Sequence, residues 1–230
     1  MSRLVIIAAL QRELAPLVCG WNSVRLDHEG STFRVYEQDN IAAVAGGIGS
    51  AAAGRAARAM VAQYKPETLI SAGLAGAVVP DLKIGSVVTP GVIIDAASAA
   101  EYRCEHGDGV LVSAGQIADS REKSALAAKF RAQCVDMEAS GVAAVAKESG
   151  IRLWCVKAIS DEVDSVLPPL NQFVNDDGRF HTGKFIAWAA MRPHYWGRTL
   201  ALGRSSKLAT HALCSWLKNH ATTVLSGQGC

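Results

Sequence analysis

The chain has 230 residues, of which half are hydrophobic, and its formal net charge is only +2. This length favours a single domain over residues 1–230, and no apolar run reaches the roughly 18 residues needed to cross a membrane. The six cysteines show no metal-ligand spacing, so we expect reduced thiols, no metal site and no cofactor. The strand-like residues 4–10 run directly into three polar residues, which argues against a secretory signal and favours a cytoplasmic location.

The first predicted strand, residues 3–10, leads into a short helix that carries Glu13. An unbroken run of apolar residues indicates a strand that is buried on both faces. A carboxylate in the first turn of a helix is favoured by the helix dipole, so a structural role for Glu13 is at least as well founded as a functional one.

A hairpin and a glycine-rich segment follow. Strands are predicted at residues 21–27, 32–38 and 41–45. Residues 46–49 (GGIG) then precede an alanine-rich helix at residues 51–63, where glycines allow backbone N–H groups to approach an anion or a polar ligand. The spacing differs from a dinucleotide fingerprint and does not follow the first strand, so NAD binding is the poorer interpretation.

Small residues dominate the next predicted strand and turn. Residues 68–71 predict a buried strand, and residues 72–77 (AGLAGA) predict a turn that can lie flat against a ligand or pack tightly on a helix. Residues 110–113 predict a further strand, and residues 114–118 after it contain no aromatic side chain.

A strand–helix–strand pattern at residues 134–164 contains the two acids on which the functional prediction rests. Glu138 and Asp161 follow the two predicted strands, and ligands of such units usually sit beyond the carboxyl ends of strands. Either acid alone is equally explained as a helix cap or a solvated loop residue. Two acids in one unit favour a shared site at neighbouring strand tips. Lys157, inside the second strand, is expected to have a buried partner.

These residues resemble the nucleoside phosphorylase/nucleosidase family. Residues 135–139 (VDMEA) and 158–161 (AISD) are similar to its paired motifs, and residues 46–49 and 82–88 are similar to two further segments. The resemblance implies an α/β fold, a three-layer α/β/α sandwich around a mixed central sheet. It also implies cleavage of the N-glycosidic bond of a purine nucleoside, with release of adenine.

Roles for individual residues come from the same resemblance. Asp161 would protonate N7 of the leaving purine, helped by apolar surroundings that keep a proton on the carboxyl. Glu138 would accept hydrogen bonds from the 2′- and 3′-hydroxyls of the ribose, and Glu13, in a partial match, would deprotonate the attacking water. The remaining substrate-binding residues are expected to be Met137, Ala75, Gly76, Ile117, Gly47 and Ser160.

The attacking group is predicted to be water. Nucleoside phosphorylases of the bacterial hexameric kind carry an arginine for phosphate just ahead of the small-residue turn, whereas this chain has residues 70–72 (ISA) there. A phosphorylase with a different phosphate site remains an alternative, and so does a nucleoside-binding sensor without activity. The family's long excursion before residues 110–113 is short here, which predicts a pocket open on its 5′ side.

The C-terminal segment, residues 179–230, is basic, rich in aromatic residues and predicted to be helical. No acid follows Asp177, and helical patterns at residues 184–191, 199–202 and 208–217 are separated at Pro193 and Gly203. Solvated helix faces around a core stripe are the default interpretation, and a membrane-surface patch is the alternative. We expect no nucleic-acid partner, because RNA-binding domains usually show sheet-face aromatics or a basic strip throughout.

The whole chain, including this segment, resembles the hopanoid-associated phosphorylase branch of the family. The resemblance implies removal of adenine from adenosylhopane, a lipid-linked nucleoside, with peripheral contact at the inner membrane surface through residues 179–230. Family members associate as dimers, trimers or hexamers, so a homo-oligomer is also implied, in which a neighbouring subunit supplies the missing aromatic.

Overall fold

The computed structural model describes residues 3–173, 175, 178 and 181–226. The predicted α/β class is confirmed. The strands are β1 (Leu4–Ala8), β2 (Asn22–His28), β3 (Ser31–Gln38), β4 (Ile41–Ala45), β5 (Thr68–Ala77), β6 (Val87–Val88), β7 (Val92–Asp95), β8 (Glu101–Arg103), β9 (Val110–Ser113), β10 (Cys134–Asp136) and β11 (Arg152–Asp161). The helices are α1 (Gln11–Leu14), α2 (Ser50–Tyr64), α3 (Ser120–Phe130), α4 (Ala139–Ser149), α5 (Thr182–Ala190) and α6 (Trp196–Ser226), with 3₁₀ turns at Asn171–Phe173 and Pro193–Tyr195.

Among the described residues the eleven strands form one mixed sheet. Its order is β2-β3-β4-β1-β5-β10-β9-β7-β8, and β11 pairs with β5 and β6 outside that path. Strands β1, β4, β5 and β11 run parallel to their neighbours within this group, whereas β10 is antiparallel to β5. The predicted mixed central sheet is therefore confirmed, and its central strand β5 pairs with β1, β10 and β11.

Helices cover both faces of the sheet because its central strands are apolar on both sides. In β1, Val5 and Ile7 belong to a buried cluster with residues of α2 and α4, while Leu4 and Ile6 belong to a second cluster with residues of α1 and α6. Successive side chains of a strand point to opposite faces, so an unbroken apolar run needs a helical layer on each side. The result is the predicted three-layer α/β/α sandwich.

Two local predictions were wrong. Residues 72–77 continue β5 rather than forming a turn, because both halves of this stretch have partner strands in the sheet. Gly203 does not divide the C-terminal helix, since α6 runs without a break from Trp196 to Ser226. A glycine inside a helix costs only about 1 kcal/mol, which packing of Leu213 and Leu217 against the sheet readily offsets.

The break predicted near Pro193 is confirmed, because α5 ends at Ala190 and a 3₁₀ turn begins at the proline. Residues 179–180 and 227–230 of the predicted C-terminal segment lie outside the described residues.

Candidate active site

Three strands meet at Gly76, and this junction brings the two predicted acids together. Val135 of β10 pairs with Gly76 in antiparallel register, and Asp161 of β11 pairs with the same glycine in the parallel ladder. The two strands therefore meet through β5 instead of lying side by side as a parallel unit. Strand β11 runs parallel to β5 and ends beside Gly76, whereas β10 begins beside Ala77 and runs antiparallel to β5. The carboxyl ends of β10 and β11 therefore come together near Gly76.

A cavity of about 620 Å³ opens at this junction. Its walls include all but one of the residues predicted from sequence: Glu13, Ala75, Gly76, Ile117, Met137, Glu138, Ser160 and Asp161. Gly47 is not part of the wall, although its neighbour Ile48 is. The cavity thus gathers side chains from β5, β11, α1 and the connections after β9 and β10.

Glu138 occupies the N-cap position of α4 without capping that helix. Its Oε1 instead accepts a hydrogen bond of 2.9 Å from the backbone N–H of Gly49, at the start of α2. Asp136 takes over the capping, because its Oδ2 accepts from the N–H of Ala139 at 2.9 Å. Burial and, after it, the nearby Asp136 raise the pKa of Glu138 to about 8, with Lys157 acting in the opposite direction.

The N-termini of α2 and α4 are locked together beside this carboxylate. A side chain at Gly141 would collide with the backbone carbonyl of Ser50, so only glycine permits the close approach. The Ser50 hydroxyl donates to the carbonyl of Met137 at 3.1 Å and contacts the Ser140 hydroxyl at 2.6 Å. The Gly49 N–H is consequently held in place against Glu138.

Lys157 forms a buried ion pair at 2.8 Å with Asp136, a residue of the cavity wall, and the two side chains are 1% and 0% exposed. Lys157 also donates to the Ser71 hydroxyl at 3.2 Å, and Asp136 accepts from the Ser113 hydroxyl at 2.6 Å. Burial alone would lower the pKa of Lys157, but Asp136 and other anionic neighbours raise it above its ordinary value. Lys157 therefore remains a cation. The sequence predicted a buried partner for it, and the structure shows that this partner is Asp136.

Glu13 is buried and close to the same lysine. Its Oε2 accepts from the backbone N–H of Ala9 at 3.3 Å, and a Cβ at Gly73 would lie 3.3 Å from that oxygen and 3.6 Å from Lys157 Nζ. Burial raises the pKa of Glu13, while Lys157 and Arg12 act in the opposite direction. A carboxyl with a raised pKa accepts a proton more readily near neutral pH, as a general base requires.

Asp161 has a different environment from the apolar one that was expected. The Ser160 hydroxyl donates to its Oδ1 at 2.8 Å, and the ammonium of Lys123 forms an ion pair with its Oδ2. Lys123 Nζ also donates to the carbonyl of Glu162 at 2.8 Å. The expectation of apolar surroundings for Asp161 is corrected, because a buried cation is bonded directly to the carboxyl.

Another part of the cavity wall is mainly apolar and comes from residues 167–170 and helices α5 and α6. It is formed by Leu167, Leu170, Phe185, Ile186, Thr199 and Leu202, and the polar residues Arg12, Ser206, Lys207, Thr210 and His211 also line the cavity. Phe185 is an aromatic wall residue that sequence analysis missed, and no motif there could have identified it. Phe185 therefore places an aromatic side chain of this chain itself on the cavity.

The described residues include no group of three or more His, Cys, Asp or Glu side chains arranged to hold a metal ion. Within the same residues, no helix has both the length and the hydrophobicity to cross a membrane. Five cysteines among them are free thiols: Cys19, Cys104, Cys134, Cys155 and Cys214.

Comparisons with known proteins converge on one family. The sequence model of the phosphorylase superfamily matches residues 3–114 and 93–176. The chain is similar to the aminodeoxyfutalosine nucleosidase of Helicobacter pylori strain J99, with 23% identity over 201 residues that cover 71% of this chain and 87% of that protein. It is also similar to the 5′-methylthioadenosine/S-adenosylhomocysteine nucleosidase of Buchnera aphidicola, with 24% identity covering 59% of this chain and 75% of that one.

A solved structure shares the fold over the whole length. The apo form of Arabidopsis thaliana 5′-methylthioadenosine nucleosidase superimposes with a TM-score of 0.76 at 18% identity, covering 99% of each chain. The matched residues 3–176 include every carboxylate described above.

Proposed function

The chain belongs to the phosphorylase superfamily, and on this premise we propose that it is a purine nucleosidase that hydrolyses the N-glycosidic bond of an adenine nucleoside. The observation that carries the proposal is the presence of three carboxyls, Glu13, Glu138 and Asp161, on the wall of one cavity with three different sets of partners. The family match and the nucleosidases among its relatives support it.

Each carboxyl has a separate task in the proposed reaction. Glu138 accepts hydrogen bonds from the ribose hydroxyls and fixes the sugar. As the bond from C1′ to N9 breaks, its electron pair moves into the purine, and Asp161 supplies a proton to N7. Water adds to C1′ and gives its proton to Glu13. General acid or base assistance of this kind contributes about 10²–10⁴-fold to a rate.

Hydrolysis is supported by residues 70–72 (ISA), which include no arginine to bind phosphate. The Lys157 ammonium that contacts the Ser71 hydroxyl is already paired with Asp136. Phosphorolysis is the second candidate, because Arg12, Lys207 and His211 lie on the cavity wall and can donate to a phosphate.

We propose a substrate with a large apolar group at the 5′ carbon, namely adenosylhopane of hopanoid biosynthesis. Support comes from the apolar wall made by Leu167, Leu170, Ile186 and Leu202. Ile186 is 60% exposed as well as part of this wall, so the cavity is open to the surface there. An apolar substituent can therefore extend out of the cavity along α5 and α6.

Residues 186–208 are also the proposed site of peripheral contact with the inner membrane surface of a cytoplasmic protein. Large apolar side chains are exposed there at Ile186, Met191, Trp196, Leu200 and Leu208. The basic residues of the stretch are Arg192, Arg198, Arg204 and Lys207, and a surface with both properties suits anionic lipid. Binding to vesicles of anionic but not zwitterionic lipid, measured by cosedimentation, is the expected result, and no binding to either would contradict it.

The expected homo-oligomer is a separate proposal that rests on the family resemblance. Sedimentation velocity over a range of concentrations tests it, and a monomer at every concentration would contradict it.

The decisive experiment for the activity is product analysis with and without phosphate. Adenosine, 5′-methylthioadenosine and adenosylhopane are incubated with the protein, and adenine and the sugar product are quantified. Adenine with a free sugar, independent of phosphate, is the expected result. A sugar 1-phosphate would establish phosphorolysis, and tight binding without turnover of any of the three would favour a sensor.

A further inference from the structure

The one fully buried side chain of helix α3 is a lysine. Lys123 is 1% exposed, while the other ten residues of Ser120–Phe130 are all at least partly accessible. An ammonium is costly to bury unless it is paired and hydrogen-bonded. Apolar packing therefore does not explain why Lys123 is the one side chain of α3 that is fully buried.

The position of Lys123 is built by three separate elements. A capping box formed by Asp119 and Glu122 fixes the first turn of α3, which directs Lys123 towards β11. There its ammonium contacts Asp161 Oδ2 and the Glu162 carbonyl. A Cβ at Gly76 of β5 would lie 2.8 Å from Asp161 Oδ2, 3.1 Å from Lys123 Cε and 3.2 Å from Nζ. Gly76 therefore leaves the space that the ion pair occupies.

Lys123 reaches the reaction only through Asp161. The carboxyl lies on the cavity wall, whereas the lysine does not. Both oxygens of Asp161 act as acceptors, Oδ1 from the Ser160 hydroxyl and Oδ2 from the ammonium. A carboxylate bonded in this way carries no proton of its own to give to a leaving base.

We propose that Lys123 is a positioning residue that stores the proton which Asp161 delivers to N7 of the purine. The inference rests on the proposed nucleosidase function. The pair holds one transferable proton: as the bond from C1′ to N9 breaks, the proton passes from Nζ to the carboxylate and from the carboxyl to N7. Lys123 is left neutral and Asp161 ionised. Glu13 meanwhile takes one proton from the attacking water, and its return through solvent restores the ammonium.

The other charged groups described near Lys123 and Asp161 do not supply the proton that passes to N7. On β11 and the following residue, Glu162 pairs at the surface with Lys83 at 3.3 Å. Glu13, Glu138 and Asp136 also line the cavity, and Asp136 is bound to Lys157. On α3 itself, Glu122 is used by the capping box. Among these described groups, Lys123 is the cation in direct contact with the carboxyl.

The test compares Lys123→Met with Lys129→Met, which removes an exposed lysine from the same helix. The substrate is one that the wild type cleaves in the product assay. Lys123→Met is expected to lower kcat by about 10²–10⁴-fold, the range of general acid catalysis, with KM within a few-fold. Lys129→Met should match the wild type. A Lys123→Met variant with wild-type kcat would overturn the inference.

The pH profile separates a proton store from a structural contact. An ammonium keeps its proton to higher pH than a carboxyl does, so the alkaline limb of kcat in Lys123→Met is expected to move to lower pH. A profile of unchanged shape at reduced height would overturn the inference.

A second variant, Lys123→Arg, covers the case in which the methionine variant does not fold. The guanidinium restores the charge but does not release a proton, so kcat should stay low while adenine binding and the melting temperature are retained. Recovery of kcat to within about tenfold of the wild type would show that charge alone suffices, which overturns the inference; tenfold corresponds to about 1.4 kcal/mol. A wild type that releases no adenine overturns the proposed function and this inference together, whereas an active wild type with an active Lys123→Met overturns the inference alone.

Discussion

At the junction of β5, β10 and β11, the cavity wall consists of carboxylates held by backbone ladders, ion pairs and helix N-termini. Another part of the wall, called the apolar end below, consists of apolar side chains from residues 167–170, α5 and α6, of which Ile186 is 60% exposed. The carboxyls of the first region are each held by a hydrogen bond or ion pair. The apolar residues of the second region do not take part in those contacts. On the proposed function, these two parts of the fold would separately determine the reaction type and the choice of 5′ substituent.

Helix α6 shows the same division within one element. Its later turns bury Ala209, Leu213 and Leu217 against the sheet, while its earlier turns expose Trp196 and Leu200. The core stripe that was the default interpretation of this segment thus accounts for the later turns. It does not account for the earlier ones.

The largest expected effect is at the carboxylate end, in Asp161→Asn. An amide cannot pass a proton to N7, so kcat should fall by about 10²–10⁴-fold with nucleoside affinity retained. Adenine release under saturating substrate measures kcat. The matched control is Asp164→Asn, which alters an exposed acid three residues later. Full activity in Asp161→Asn would contradict the assignment of proton transfer to the carboxylate end of the cavity.

Gly76→Ala tests the same region through packing alone. The new Cβ would lie 2.8 Å from Asp161 Oδ2 and displace it, and a displacement of about 1 Å at a catalytic group can cost about 10²-fold in rate. We expect kcat to fall by up to that factor. Gly197→Ala, at a position with no neighbour within 4 Å, is the control and should leave kcat unchanged. Equal values of kcat in the two variants would show that the space at Gly76 does not control the position of Asp161.

Above about pH 8, where the Glu138 carboxyl is ionised, Glu138→Gln removes the charge that accepts hydrogen bonds from the ribose hydroxyls. Hydrogen bonds to a charged group contribute about 1.5–3 kcal/mol, so kcat/KM should fall by about tenfold to a hundredfold. The preference for ribosides over 2′-deoxyribosides should narrow as well, measured by the ratio of kcat/KM for the two. Glu148→Gln, on the exposed side of α4, is the control and should keep both values.

Substrate affinity should depend on pH through the same residue. Because the pKa of Glu138 is raised to about 8, the carboxyl is protonated below that pH and must lose its proton to accept two hydrogen bonds. Affinity for a riboside is therefore expected to rise with pH through about pH 8, the pKa of Glu138, and to level off about one unit above it. Titration calorimetry measures it, and a flat profile in the wild type, like that expected for Glu138→Gln, would contradict the assignment.

The smallest effect is expected at the apolar end, in Ile186→Asn. The side chain is already 60% exposed, so removing its contact should cost about 1 kcal/mol, or about fivefold in KM, for a nucleoside with an apolar 5′ group. KM for adenosine and kcat for both should not change. Met191→Asn is the control, because Met191 is exposed but not part of the cavity wall. An equal rise of KM for adenosine would show that the two ends are not separate.

Residues within short motifs were predictable from the sequence. The apolar runs specified the buried strands, the glycines before α2 marked a helix start, and the acids at residues 138 and 161 were recognised by their family pattern. The confirmed elements, from the hairpin β2–β3 to helix α3, follow from local periodicity and turn chemistry. Residues near in sequence impose these features, so no knowledge of distant partners was needed.

Other features depended on partners far away in the chain. Lys123 lies 38 positions from Asp161, on a helix whose pattern gives no reason to single out one lysine. Asp136 was part of a motif, but its capping of α4 and pairing with Lys157 required the strands to be assembled. The sequence by itself determined the layers of the fold and most of the cavity's carboxylates. Only the tertiary structure decided which cation bonds to each carboxylate, because charge pairing in a buried site is set by the packing of separate elements and not by the order of residues within one.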